Sequence, residues 1–173
     1  VYQPALLMRG VGKRMRVRGI ASPHEYVRLL ETDADEIAAL AGDLLADGTE
    51  FFREPGTSMR LEHDALPRLL GAKGRAPDAL RAWFVGCGTG EEAYSLAIQL
   101  LEECARRDVK PSIKVFATDA AEEQLQRARR GVYLPQIQSS VSPKRLASYF
   151  VPDEGGHGLR PEVRALVVFA RHD

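Results

Sequence analysis

Cysteine is nearly absent, with two residues in 173. Cys87 lies in a glycine loop and Cys104 in a predicted helix, and neither has a paired spacing to the other or to His24, His63, His157 or His172. A disulfide framework and a zinc site are both excluded on that ground, and no metal is expected. Long apolar runs are lacking as well: stretches such as Ala165 to Ala170 fall far short of the roughly 20 residues that cross a bilayer. No basic stretch followed by an apolar one opens the chain. A cytoplasmic protein without membrane insertion is expected, and no nucleic-acid partner. Internal repeats and low-complexity tracts are missing too.

Net charge is also lacking, because 24 basic and 24 acidic residues cancel. Their distribution is uneven, however. Arg9, Lys13, Arg14, Arg16, Arg18 and Arg28 make the first thirty residues basic against Glu25 alone, and Glu31, Asp33, Asp35, Glu36, Asp43, Asp47, Glu50 and Glu54 make the next segment acidic. A local basic face for an anionic partner follows from that segregation. With 45% hydrophobic and 28% charged residues, the composition is that of a globular chain with one sizeable core.

Periodicity predicts a helix over Pro4–Arg18, with Leu7, Met8, Val11 and Met15 on one face and Arg9, Lys13 and Arg16 on the other. Gly10 and Gly12 weaken it. Ser22-Pro23-His24-Glu25 starts a second helix through about Glu31. Asp33 or Asp35 caps a third, striped by Ile37, Leu40, Leu44 and Leu45. Asp47-Gly48 breaks the pattern. Phe51-Phe52 then lies within a turn-forming run from Gly48 to Ser58, a linker that packs back onto something. Leu61–Leu70 reads as a short helix and Gly71–Pro77 as a loop.

The remainder alternates. Strands are predicted at Leu80–Val85 and Ile113–Ala117, with helices at Glu91–Arg107 and Ala121–Arg130. This is a βαβα unit and hence a parallel sheet. Ser142-Pro143 starts a helix through Tyr149, Asp153–Gly158 is a glycine-rich turn, and Arg164–Phe169 is a last strand.

Val85-Gly86-Cys87-Gly88-Thr89-Gly90-Glu91-Glu92 joins a strand to a helix, where residues without side chains let a ligand approach the backbone. A phosphate site would keep negative charge away from the helix start. Glu91 and Glu92 instead suit a cationic ligand such as S-adenosylmethionine, although two acids there also complement the helix dipole. Asp119 ends the second strand. It can accept the hydroxyls of a ribose or cap the next helix, and the glycine loop before it favours the ribose. Thr49-Glu50-Phe51-Phe52-Arg53 carries no strong signal by composition.

Together, Thr49 to Arg53, Gly86-Cys87-Gly88-Thr89-Gly90-Glu91-Glu92-Ala93-Tyr94-Ser95-Leu96-Ala97, Ala117-Thr118-Asp119, Leu125, Ala128-Arg129, Gly131 and Tyr133 resemble the CheR-type chemotaxis receptor methyltransferases. The likeness spans essentially the whole chain. It implies an α/β fold: a Rossmann-like S-adenosylmethionine-dependent methyltransferase domain with an incomplete sheet, preceded by a small all-α N-terminal domain. A small antiparallel β-subdomain is implied around Pro152–Pro161. The expected divisions are a helical domain at 1–47, a linker and helix at 48–79, and the methyltransferase domain at 80–173 with the subdomain near 150–165.

The implied activity is protein-glutamate O-methylation on the cytoplasmic helices of chemoreceptors. By resemblance Thr49 and Arg53 reach into the active site and touch the cofactor, Gly86, Cys87, Gly88 and Glu92 line its pocket, and Asp119 holds the ribose. Arg9, Lys13, Arg14, Arg16 and Arg18 form the receptor-docking face. Asp47 stands where many members have asparagine. The wording near Val115-Phe116 and Val167–Asp173 looks most like variants fused to methylesterase and sensor domains. Val1 at one end and a strand-like run before Asp173 at the other predict a fragment, which stops before the cysteine-arginine-asparagine strand that completes the family's site. The alternatives are a cofactor- or receptor-binding fragment without activity and a nicotinamide-dependent oxidoreductase.

Overall fold

A computed structural model describes residues 4–46, 49–71 and 77–172, and the chain divides into two compact units, Val1–Gly48 and Thr49–Asp173. The first unit consists of α1 (Pro4–Arg18), α2 (Pro23–Thr32) and α3 (Ala34–Ala46). Proline in the first turn after Ser22 opens α2, where its missing N–H costs nothing. Asp33 caps α3 by accepting the Glu36 N–H at 3.0 Å.

The predicted apolar stripes of this unit hold only in part. Leu7, Met8 and Ile37 are exposed, whereas Glu36 is 2% exposed, and Gly10 is buried against Leu44. The interior is organised around that one carboxylate. Arg14 donates to it twice, at 2.9 and 2.7 Å, the Tyr26 hydroxyl donates at 2.9 Å, and Arg18 Nε lies 3.0 Å away. A buried charge is tolerable only when paired and hydrogen-bonded in this way. The side chains of Arg9 and Leu45, and the Asp47-Gly48 break with them, lie outside the described residues.

The second unit begins with a continuous helical run: α4 (Pro55–Arg60), a π-helical turn (Leu61–Ala65) and α5 (Leu66–Leu69). It starts at Pro55, inside the stretch predicted as turn. A tertiary contact supplies what the local sequence lacks, since Gln99 donates to the Ser58 hydroxyl at 2.6 Å.

Then β1 (Ala79–Val85), α6 (Glu91–Arg107), β2 (Ser112–Asp119) and α7 (Glu122–Arg130) realise the predicted βαβα unit. They are followed by β3 (Val132–Tyr133), a 3-10 turn (Pro135–Ser139), α8 (Pro143–Tyr149), β4 (Phe150–Asp153), β5 (Gly156–Leu159), α9 (Pro161–Arg164) and β6 (Val167–Arg171).

The main sheet is parallel in the order β1-β2-β6. One face packs on α6 through Leu80, Val115, Ala93, Ala97 and Ile98. On the other, Trp83, Phe116 and Val168 stand side by side in register and all three are exposed, Trp83 by 61%. Among the described residues β1 pairs with β2 alone.

The small antiparallel sheet has the order β3-β5-β4. It is the small antiparallel β-subdomain that the resemblance implied, while two local expectations change. The predicted glycine-rich turn at Asp153–Gly158 is a hairpin, and the last strand starts at Val167, after α9, rather than at Arg164. Gly156 belongs in a strand here because a Cβ on it would fall 2.0 Å from the Tyr133 carbonyl oxygen. Among the described residues no helix is long and apolar enough to cross a membrane.

Candidate functional site

The loop after β1 is held by backbone contacts to the end of β2. The N–H groups of Gly86 and Cys87 both donate to the Thr118 carbonyl, at 2.8 and 3.0 Å, and Gly90 N–H closes the turn onto the Cys87 carbonyl at 2.9 Å. Gly88 has a φ of +52° and a Cβ there would meet the Thr49 methyl at 2.7 Å, so both backbone and space require glycine. The position above Gly86 is open, with nothing within 4 Å of where a Cβ would point. A ligand can therefore lie against the backbone at that point.

Asp119 is wired into this loop. One carboxylate oxygen accepts the Gly88 N–H at 2.8 Å and the other accepts the Ala121 N–H at 2.9 Å. Each oxygen keeps a further lone pair for an incoming hydroxyl. Asp119 does not cap α7, whose N-cap is Ala121 with no side-chain cap bond; its contact to Ala121 only turns the chain ahead of the helix.

The first turn of α6 carries Glu91 and Glu92. Burial raises the pKa of both above the ordinary carboxylate value, partly opposed at Glu91 by hydrogen bonds that include one from Thr89 and at Glu92 by the Arg53 charge. Thr89 donates to Glu91 at 2.6 Å, and the Thr49 and Thr89 hydroxyls are 2.9 Å apart. Arg53 Nη1 lies 3.6 Å from Glu92 Oε1.

Thr49, Arg53, Gly86, Cys87, Gly88, Glu92 and Asp119 are therefore gathered around one loop. Cys87 is 1% exposed, and its thiol is pushed up to about 12, by burial first and by the Asp119 charge second. A thiol so buried and so weakly acidic is a poor nucleophile.

Of the basic residues of α1, Lys13, Arg16 and Arg18 are exposed. Arg14 and Arg18 have a structural role that the charge pattern did not anticipate, both being engaged with Glu36 and Arg18 also with Asp33. The sequence reading also missed three supports. Ser95 Oγ accepts the Phe52 N–H at 2.9 Å and donates to the Glu91 carbonyl at 2.7 Å. Tyr133 reaches out of the small sheet to donate to the Thr89 carbonyl at 2.8 Å, and its ring packs edge-on against Phe51. Arg145 on α8 sits over the Phe52 ring. Tyr133 and Ser95 had a signal in the family pattern; Arg145 had none.

Two family profiles cover nearly the whole chain. The one described as CheR methyltransferase, all-alpha domain, matches residues 1–45, and the one described as CheR methyltransferase, SAM binding domain, matches residues 47–173. The chain is 32% identical to the chemotaxis protein methyltransferase of Escherichia coli (strain K12), across 91% of this chain and 54% of that protein. It is 30% identical to chemotaxis protein methyltransferase 1 of Pseudomonas aeruginosa, across 95% and 61%. It is 34% identical to an uncharacterized 104.1 kDa protein of Rhodobacter capsulatus, across 99% of this chain but 18% of that one. The chain spans little more than half the length of the two chemotaxis relatives.

Proposed function

The chain belongs to the CheR methyltransferase family, and on that premise we propose that it serves S-adenosylmethionine-dependent methylation of glutamate side chains on the cytoplasmic helices of chemoreceptors. The observation that carries the reading is the convergence of Arg53, Glu92, Asp119 and the open backbone at Gly86 on one loop. The residues present fit the cofactor. Gly86 leaves room for it, Asp119 has lone pairs for its ribose hydroxyls, and the acids at the start of α6 favour its cationic end.

Bound there, S-adenosylmethionine supplies a methyl group whose S–C bond breaks as a C–O bond to the acceptor carboxylate forms, cancelling one positive and one negative charge without moving a proton. A glutamate acceptor is already ionised at neutral pH, with a reference pKa of about 4.3, so the site has no need of a general base. Its work is to orient and desolvate, and positioning alone can lower a barrier by roughly 7–11 kcal/mol.

Arg53 is suited to hold the acceptor, because a guanidinium grips a carboxylate by two parallel hydrogen bonds. Its contact with Glu92 is long, at 3.6 Å, and its side chain is 47% exposed, so an incoming carboxylate can engage it. The same acids argue against the nicotinamide reading, whose pyrophosphate they would repel.

Exposed basic residues of α1, among them Lys13 and Arg16, are proposed to meet the acidic methylation helices, and the protein is proposed to work in the cytoplasm. The matched stretch in the 104.1 kDa relative is a small part of that protein, which supports the reading that such units operate beside further domains.

The test is radiolabel transfer to a receptor cytoplasmic fragment by the full-length protein carrying this chain. Arg53→Ala should lower methylation by about 100-fold while S-adenosylhomocysteine affinity changes less, and Asp119→Ala should do the reverse. Wild-type turnover in Arg53→Ala would sink the assignment of Arg53. Calorimetric preference of the chain for NADH over S-adenosylhomocysteine would sink the cofactor.

A further inference from the structure

Arg53 lies in an unusual piece of backbone. The residues on either side of it, Phe52 and Glu54, both have left-handed φ values, +52° and +53°. Such conformations are strained for a non-glycine residue and persist only where the surroundings impose them. Phe51, one residue earlier, is 1% exposed and locked between the rings of Tyr133 and Phe150, at 4.8 and 5.4 Å. The Phe52 N–H is tied to Ser95. The Phe52 ring packs against the core and the Phe51 ring, and Arg145 covers it, with its guanidinium carbon 4.0 Å from the ring centroid.

Arg145 is itself held in place by two elements. Its Nη2 donates to Glu102 on α6 and to Glu62 in the π-helical turn, both at 2.6 Å, and its Nε faces both oxygens of Glu102. Gln99 donates to Glu62 at 2.9 Å. Burial would raise the Glu62 pKa, but the Arg145 and Gln99 hydrogen bonds leave it lowered. A guanidinium fixed by two carboxylates and laid over a ring is a rigid clamp, since its planar fork can satisfy both partners at once.

We propose that Arg145 is a positioning residue of the methyl-transfer site: by clamping Phe52 it imposes the left-handed backbone that presents Arg53 to Glu92 and to the acceptor. The inference rests on the reading of Arg53 given above. It assigns α8, at the entry to the small sheet, a role in the geometry of the site.

The test follows Glu92 rather than turnover, so that it reads the geometry whether or not methyl transfer is the reaction. In the chain labelled with 13C-glutamate, Arg53→Ala removes a charge that lowers the Glu92 pKa and should raise its titration midpoint. Arg145→Gln should raise it in the same direction by a smaller amount, and should add nothing in the Arg53→Ala background. Arg145→Lys, which keeps a cation over the ring, should restore part of the shift. Phe52→Leu spares the ion pairs of Arg145 and should repeat the Gln result, which keeps the test open if Arg145→Gln fails to fold.

A lowered unfolding midpoint with the Glu92 titration unmoved would reduce Arg145 to a structural residue and overturn the proposal. So would an equal shift with Arg53 already removed. An Arg53→Ala variant that leaves Glu92 unchanged would overturn the Arg53 contact on which the inference depends. Failure of methylation with the Glu92 shifts intact would instead count against the proposed function alone.

Discussion

Each of the two units of this protein contains a mixed-charge cluster whose polarity mirrors the other's, and the α/β unit also holds the buried Glu103 between Arg106 and Arg107. In the helical unit a single carboxylate, Glu36, sits between Arg14 and Arg18. In the α/β unit a single guanidinium, Arg145, sits between Glu62 and Glu102. The difference lies in burial. The Glu36 side chain is 1% exposed, whereas Arg145 is 19% exposed and its partners 29% and 33%. A carboxylate taken fully out of water must be matched by its partners or the unit fails. A cation at a half-buried junction keeps solvent support and has a face left over for a ring. The first cluster therefore locks a fold, and the second holds a segment in place.

The largest expected effect breaks the first lock. Glu36→Gln leaves Arg14 against a neutral amide, and removing one partner of a buried pair costs about 3–5 kcal/mol. That is comparable with the whole stability of a unit this small, at about 0.05–0.15 kcal/mol per residue. Denaturant unfolding of the full chain followed by hydrogen exchange should show α1–α3 opening first, with the α/β unit protected. Equal protection of both units would mean that the cluster is dispensable.

Acid sharpens the same contrast more gradually. The Arg14 hydrogen bond, against the opposing effect of burial, holds Glu36 down at about 2 from an ordinary 4.5. Because the folded value is the lower one, its stabilisation is complete above pH 4.5 and drains away as pH falls from there through about 2. The helical unit should therefore lose stability progressively across that window in a pH titration monitored by circular dichroism and by NMR of Tyr26. In Glu36→Gln this part of the acid dependence should vanish, and its persistence would assign it to other carboxylates.

Which parts of the two units could be read from sequence follows from how local their causes are. The β1–α6–β2–α7 run, with its glycine loop, was legible almost to the residue, because strand patterning, Gly86 to Gly90 and the acids at 91 and 92 are all local signals. The helix from Pro143 was equally plain, since Ser142 accepts the Arg145 N–H as a cap. The failures have distant causes. Arg14 turned inward and Leu7 outward because a glutamate 22 residues later supplies the charge. The β4–β5 hairpin looked like a turn because Gly156 and Gly158 have no strand preference of their own, and pairing with β3 makes them a strand. At the site, the places of Asp119 and Glu92 beside the glycine loop followed from the local motif. The clamp on Phe52 was not, since Arg145 lies 93 positions away in the chain from the residue whose ring it covers.

The smallest expected effect concerns what the first cluster leaves for docking. If α1 meets acidic receptor helices, the arginines committed to Glu36 cannot contribute equally, and the burden falls on exposed positions such as Lys13 and Arg16. Charge reversal at Lys13 and Arg16 should raise the KM for a receptor fragment several-fold in low salt. The difference should fade as ionic strength approaches about 1 M, where the screening length is about 3 Å. Reversal at Arg14 should do the opposite, destabilising the helical unit at every salt concentration. A KM that ignores Lys13 and Arg16 but tracks the unfolding of the Arg14 variant would mean that the basic pattern of α1 serves its own fold and that the receptor is recognised elsewhere.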